Sequence, residues 1–144
     1  MRLISNDFQP GGMIPHMFTC DGEDLSPHLA WDDVPEGTKS FALAVDDPDA
    51  PGGTWVHWLV ADVSANLREI PRGTLPAGAK QLRNDFGKLN YGGPCPPGGT
   101  HRYFFRLYAL DTKLLTGINE RNFYEMVEKH KLDVGILMGK YSRR

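Results

Sequence analysis

Three stretches of the chain alternate their apolar side chains in the way that buried β-strands do. They cover residues 40–47, 54–63 and 101–110. In the first stretch the bulkier apolar side chains share one face, and Asp47 ends that face. The second stretch, in which His57 and Leu59 share a face, is apolar on both sides, as is typical of a central strand. The pattern predicts a mainly β protein.

The third stretch carries its polar residues in a different place. His101 and Tyr103 belong to the apolar face, whereas Arg102 and Arg106 belong to the opposite face. We therefore expect the arginine face to lie nearer to water and the histidine to open a buried face.

The remaining segments predict one helix and several short strands. An amphipathic stripe predicts a helix over 119–131, with Asn119 as its cap and Lys129 and Lys131 in its last turn. Short strands are expected near 2–4, 28–31, 80–84 and 136–141. Most of the segment from 68 to 91 is expected to be ordered loop, because it contains several prolines and glycines.

Composition and charge exclude some classes of protein. The 144 residues fit one domain spanning 1–144, and 16 glycines and 11 prolines favour tight turns. A formal net charge of -2 argues against a nucleic-acid binder, which needs a basic face. No run of about 18 apolar residues predicts a membrane span. The N-terminus turns polar directly after Ile4, unlike a secretory signal, so we expect a cytoplasmic protein.

The two cysteines, Cys20 and Cys95, are too few for a disulfide scaffold. In a reducing compartment both would be thiols, which is the state we expect. A bridge between them is the alternative.

Each of two loops rich in proline and glycine is followed by a histidine near the start of a predicted strand. They lie at 47–58 and 91–103. Only about six residues join the first two strands, which favours antiparallel neighbours, so Asp47 and His57 should lie at the same end of the sheet. His101 joins them if its strand runs in the same sense as 54–63.

Such a rim would have the chemistry of a polar ligand pocket. Imidazoles can donate or accept and can become cationic, and a carboxylate beside them favours the cation. Tyr103 adds a hydroxyl, and Gly92, Gly93 and Cys95 offer backbone N–H groups in a turn, where such groups can form an anion-binding nest. An anion such as phosphate suits the imidazoles, and an ammonium group suits Asp47. The pattern predicts a site for a small phosphate or a zwitterionic phosphoester.

Other interpretations of the same residues stay open. The residues 47–49 can be turn residues only, and His57 can be a core histidine. Asp47, His57 and His101 also form a two-histidine, one-carboxylate set that suits a metal. Alternatively, Cys95 paired with His101 could make the protein a cysteine hydrolase. A further alternative is a protease inhibitor that acts through an exposed loop, independently of any pocket.

The two loops resemble the signatures of the phosphatidylethanolamine-binding protein family, in its bacterial and archaeal branch, which is often labelled Raf-kinase-inhibitor-like. The first signature is DPDAP at 47–51 with HW at 57–58, and the second is GGPCPP at 92–97 with HRY at 101–103. Shorter matches extend over nearly the whole chain: IP at 14–15, TCDG at 19–22, SP at 26–27, VPEG at 34–37, NDFG at 84–87 and GKY at 139–141.

The resemblance implies a β-sandwich of two antiparallel sheets with a few peripheral helices. It implies a small cavity for phosphate-like anions and phosphorylated head groups such as phosphoethanolamine, without catalysis and without a cofactor. The residues that would line it are Asp47, Pro51, Trp55, His57, Gly93, Pro94, His101 and Tyr103. In the animal and plant branches, members regulate kinases, inhibit serine proteases or control flowering, and the bacterial and archaeal members are often dimers. The resemblance therefore implies inhibition of a kinase or a serine protease, and a homodimer.

Overall fold

The computed structural model describes residues 1–143, which form two antiparallel sheets and one α-helix. The elements are β1 (Arg2–Ile4), a 3-10 turn (His16–Phe18), β2 (Leu29–Asp32), β3 (Ser40–Asp47), β4 (Trp55–Ser64), β5 (Glu69–Ile70), β6 (Lys80–Leu82), β7 (Thr100–Leu110), α1 (Phe123–His130) and β8 (Lys131–Ser142). The smaller sheet has the order β1-β2-β5 and the larger has the order β6-β4-β3-β7-β8. The predicted two-sheet sandwich is confirmed.

The main core fills the space between the two sheets. Trp31 of β2 packs edge-on against Phe41 of β3, with ring centroids 5.3 Å apart. Leu43 and Val45 extend the same buried face of β3 toward its end. The bulkier face of this strand therefore points inward, as its alternation predicts.

A second, smaller core lies on the opposite face of the larger sheet. There Ala42 and Ala44 leave room for α1, which buries Phe123 and Val127 against the sheet. Small residues on the sheet and large ones on the helix thus fill this layer together.

β4 departs from simple alternation because it contains two β-bulges. His57 is an extra residue between Val56 and Trp58 opposite the end of β3, and Asp62, with φ of 59°, lies at a second register shift. A bulge places two successive residues on one side of the sheet. The prediction that His57 shares a face with Leu59 is wrong for this reason, since Leu59 packs in the second core.

The C-terminal elements begin at other residues than the sequence predicts. α1 covers Phe123–His130 because Asn119 instead closes a turn, in which its side-chain oxygen accepts the N–H groups of Arg121 and Asn122. Lys131 is already in β8, which pairs with β7 along its whole length. Among residues 1–143, no helix has both the length and the apolar character that crossing a bilayer requires.

Candidate functional site

The end of β3 and the beginnings of β4 and β7 meet at one rim of the larger sheet. β3 is antiparallel to both neighbours, so β4 and β7 run in the same sense, and His101 lies beside Asp47. Nδ1 of His101 lies 2.6 Å from Oδ2 of Asp47, and both side chains are buried. A proton on Nδ1 is donated to the carboxylate, which leaves Nε2 of His101 for another partner.

His57 enters the same site through the first bulge of β4. Its Nδ1 lies 2.6 Å from the carbonyl oxygen of Gly92, an acceptor only, so Nδ1 carries a proton that it donates. Burial lowers the pKa of His57, although Gly92 and the Asp47 carboxylate act against that shift. The ring is therefore neutral at pH 7, and its Nε2 is a hydrogen-bond acceptor.

Tyr103 lies between the two histidines. Its ring meets the His57 ring edge-on at 5.3 Å and stacks on the His101 ring at 6.4 Å. Burial, followed by the charges of Asp47 and Asp49, raises the pKa of its hydroxyl, which stays protonated. No described residue makes a well-aligned hydrogen bond with this buried hydroxyl, although the Cys95 backbone and Asp47 lie near enough to influence its pKa.

These side chains face a cavity of about 250 Å³, which we call the histidine cavity. It is lined by Asp47, Ala50, Pro51, Trp55, His57, Phe86, Cys95, Pro96, Pro97, His101 and Tyr103. The set combines two imidazoles, one carboxylate and one phenol with a largely apolar wall. Such a cavity suits a small polar ligand with few contact groups.

The family model for phosphatidylethanolamine-binding protein matches residues 4–142. The chain belongs to this family. Among its relatives, a UPF0098 protein of Methanothermobacter thermautotrophicus is 49% identical over 150 residues, covering 99% of this chain and 99% of the relative. The UPF0098 protein YbhB of Escherichia coli is 49% identical over 124 residues, covering 77% of this chain and 78% of YbhB.

Solved structures of family members have the same fold. The crystal structure of Escherichia coli YbcL, described as a member of the mammalian PEBP family, superposes with a TM-score of 0.93 at 35% identity. The match covers 99% of this chain and 98% of YbcL. A phosphatidylethanolamine-binding protein homologue of Chlamydia trachomatis gives a TM-score of 0.91 at 36% identity, with 99% and 97% covered.

The structure brings together most of the residues that the family resemblance named for the site. Those that line the histidine cavity are Asp47, Pro51, Trp55, His57, His101 and Tyr103. Gly93 and Pro94 do not line it. Phe86 does line it. Nothing in the sequence indicates this role directly, because Phe86 lies within the long predicted loop and only its NDFG motif marks the segment.

The predicted anion-binding nest is wrong, because two of its N–H groups already have partners. Gly92 donates to the His57 carbonyl at 3.0 Å, and Gly93 donates to Asp24 Oδ1 at 2.8 Å. Gly93 instead lines a neighbouring cavity of about 370 Å³, which we call the Asp24 cavity. It is lined by Cys20, Asp24, Phe86, Lys88, Asn90, Tyr91, Gly92 and Gly93. Burial raises the pKa of Asp24.

The expectation of two free thiols is wrong: Cys20 and Cys95 form a disulfide, with Cα atoms 5.4 Å apart across 75 residues. The two segments are held together by other contacts as well. The N–H of Cys20 donates to the Pro94 carbonyl at 3.1 Å, and the Tyr91 hydroxyl donates to the Phe18 carbonyl at 2.7 Å. With its sulfur in this bond, Cys95 is not the free nucleophile that a cysteine hydrolase needs.

Asp49 supports the rim without lining the cavity. Its carboxylate accepts two hydrogen bonds from the Arg102 guanidinium, at 2.8 and 2.9 Å, and one from the Arg102 backbone N–H. The side-chain hydrogen bond from Arg102 lowers the pKa of Asp49 from 3.8 to about 2. In addition, the Asp49 N–H donates to Asp47 Oδ1 at 2.8 Å. Residues 47–49 therefore form a turn and also hold the cavity residue Asp47 in position.

Metal chemistry receives no geometric support. Within residues 1–143, no group of three or more histidine, cysteine, aspartate or glutamate side chains is arranged to hold a metal ion. Of the three residues that could suit a metal, Asp47 and His101 are hydrogen-bonded to each other, and His57 is hydrogen-bonded to the backbone carbonyl of Gly92.

Proposed function

We propose that the histidine cavity binds a small phosphate-like anion or a phosphorylated head group of the phosphoethanolamine type, and that the protein is a ligand-binding protein, not an enzyme. The observation that carries the proposal is the set of unused polar atoms around the cavity. Each histidine uses Nδ1 in a hydrogen bond within the protein, which leaves Nε2 for a ligand. Among residues 1–143, the Tyr103 hydroxyl also has no hydrogen-bond partner.

The three atoms fit a phosphate monoanion. His101 directs its Nδ1–H to the Asp47 carboxylate and presents Nε2 to the anion, and Tyr103 donates from its hydroxyl. The neutral His57 accepts the remaining proton of the anion or of an ammonium group.

Two features support binding without catalysis. The Cys95 sulfur is in a disulfide, and the raised pKa of the Tyr103 hydroxyl makes its ionised, nucleophilic form rare at neutral pH. The family name, phosphatidylethanolamine-binding protein, also describes binding. The alternative is a hydrolase. It predicts turnover of a phosphomonoester, which a phosphate-release assay with phosphoethanolamine would detect.

An NMR titration with phosphate, and separately with phosphoethanolamine, tests the proposal. We expect the ring resonances of His57 and His101 to shift at millimolar ligand. The change His101→Ala should weaken binding about tenfold or more, because it removes a charge-assisted hydrogen bond.

His130→Ala is the matched control, since this histidine lies on α1 and bonds Asp111 at 2.8 Å, away from the cavity. Its dissociation constant should equal that of the native protein. Histidine resonances that do not move at millimolar phosphate would contradict the proposal.

A regulatory role extends the proposal to a protein partner, a kinase or a serine protease. If such a partner is inhibited through the cavity, phosphate should compete and His101→Ala should abolish inhibition. Inhibition that survives this change would favour the loop-mediated alternative. A homodimer is also proposed, and sedimentation at micromolar protein tests it.

A cytoplasmic location is proposed as well. Disulfides are uncommon in a reducing cytoplasm. Because the structure contains the Cys20–Cys95 disulfide, the location needs a test that does not depend on the thiols. Fractionation of cells provides one: recovery in the cytoplasmic fraction supports the proposal, and recovery outside the cytoplasmic membrane contradicts it.

A further inference from the structure

Two cavities lie side by side at the rim and share one wall. Phe86 lines both the histidine cavity and the Asp24 cavity. The disulfide crosses the same boundary, because Cys95 lines the first cavity and Cys20 lines the second. The partition therefore consists of one aromatic ring beside one covalent bridge.

A tight turn fixes the position of Phe86. The buried side chain of Asn84 accepts the N–H groups of Phe86 and Lys88 at 3.0 Å each through Oδ1. Its Nδ2 donates to the carbonyls of His57 at 3.2 Å and Asn90 at 2.8 Å. One amide thus closes the turn and ties it to the strand that carries His57.

Phe86 is 41% exposed, and its ring packs against three residues. It meets Trp55 edge-on at 5.5 Å and His57 edge-on at 5.3 Å. It also lies directly on the α-carbon of Gly92, where an added Cβ would come within 2.6 Å of its Cδ2 atom. This glycine is needed because the ring occupies the space that any side chain would take.

We propose that Phe86 is a specificity-determining residue, which limits the ligand of the histidine cavity to a phosphate with a small substituent. This inference rests on the proposed function. At about 250 Å³, the histidine cavity alone is smaller than the roughly 300–1,000 Å³ of sites for drug-sized ligands. Joined to the Asp24 cavity of about 370 Å³, it would fall well within that range.

The variant Phe86→Ala tests this assignment with inorganic phosphate and phenyl phosphate as probes. The native protein should bind phosphate more tightly than phenyl phosphate. In Phe86→Ala, the affinity for phenyl phosphate relative to phosphate should rise about tenfold or more, because the phenyl ring gains the opened space. Phe86→Tyr keeps the ring and should keep the native ratio.

Leu89→Ala is the matched control, because Leu89 is 50% exposed in the same loop and lines neither cavity. It should leave the ratio unchanged. An unchanged ratio in Phe86→Ala, or an equal rise in Leu89→Ala, would overturn the assignment.

A crystal structure of ligand-free Phe86→Ala separates this inference from the proposed function. One continuous cavity supports the role of Phe86 as the partition, and two cavities that remain separate overturn it. If the native protein binds neither probe, the proposed function fails, and the cavity seen in this crystal structure still decides the role of Phe86.

Discussion

Across 54 residues of sequence, Nδ1 of His101 lies 2.6 Å from Oδ2 of Asp47. The other oxygen of this carboxylate accepts the N–H of Asp49 at 2.8 Å. A single buried side chain therefore orients an imidazole and also closes the turn between β3 and β4.

Replacing Asp47 should destabilise the fold. Asp47→Ala leaves the His101 Nδ1–H and the Asp49 N–H without their acceptor, which should cost about 1–3 kcal/mol for each group that stays buried. Asp47→Asn keeps an acceptor oxygen and should cost less. Urea unfolding measures both. A double-mutant cycle with His101→Ala should show strong coupling, and simple additivity would contradict the pairing.

The ion pair of Asp49 and Arg102 should make the stability of the protein depend on pH in the acid range. The pKa of Asp49 is lowered from 3.8 to about 2, so its contribution to stability is present above 3.8 and lost as the pH falls toward about 2. In Arg102→Met, the carboxyl carbon of Asp49 should titrate closer to 3.8 by NMR. The stability difference between this variant and the native protein should shrink over the same pH range. Equal midpoints in both proteins would show that the ion pair does not form.

Burial of His57 should make the protein less stable in mild acid. Because its pKa in the folded state lies below 6.5, the unfolded chain takes up the proton first as the pH falls. His57→Gln can still donate to the Gly92 carbonyl but does not titrate. Relative to this variant, the native protein should lose stability from about pH 7 downward, until the folded-state pKa is passed. A pH-independent difference in unfolding free energy would contradict the buried, neutral ring.

The disulfide should contribute substantially to stability. It closes a loop of 75 residues, for which the chain-entropy relation gives about 4.5 kcal/mol. Adding a reducing phosphine should lower the midpoint of thermal unfolding accordingly. The double variant Cys20→Ser with Cys95→Ser is the control, because its midpoint should not respond to the reductant. A native midpoint that is equally insensitive would show that the bond is not formed in solution.

Gly93 should not tolerate a side chain. An added Cβ would lie closer than 3.0 Å to both Asp24 Oδ1 and the Phe18 carbonyl oxygen. Gly93→Ala should therefore destabilise the protein by about 1–3 kcal/mol, the usual cost of overpacking. Gly98→Ala, in the same loop region, would place its Cβ in open space, with nothing within 4 Å, and should be nearly neutral in urea unfolding. Similar losses in both variants would contradict the close approach.

Local patterns in the sequence predicted the strands that carry the site. Alternation put Asp47 at the end of a buried face, and the short connection after it required an antiparallel neighbour. These patterns do not determine the direction of β7, so the position of His101 follows only from the antiparallel pairing of β3 with β7 in the structure.

Contacts between distant segments could not be predicted in the same way. The pairing of Gly93 with Asp24 spans 69 residues, and nothing in either residue indicates the other. The position of Phe86 could not be predicted for a related reason, because it depends on the hydrogen bonds of the buried Asn84 side chain. The start of α1 was misplaced because Asn119 serves a turn as readily as a helix cap.

Each of the two bulges of β4 reverses which residues of the strand face the main core. Trp55 and His57 face the cavity side, Trp58 and Val60 continue on that side with the opposite parity, and Val63 restores the first parity. Each extra residue reverses the face to which odd-numbered and even-numbered residues belong. The second bulge therefore restores the alternation that the first one reversed. Deleting either extra residue alone would reverse the faces of the strand residues on one side of the deletion, so that residues of the main core and of the second core would exchange places. The number of residues in this strand therefore matters as much as their types, because the loss of one residue would reverse the faces of its neighbours.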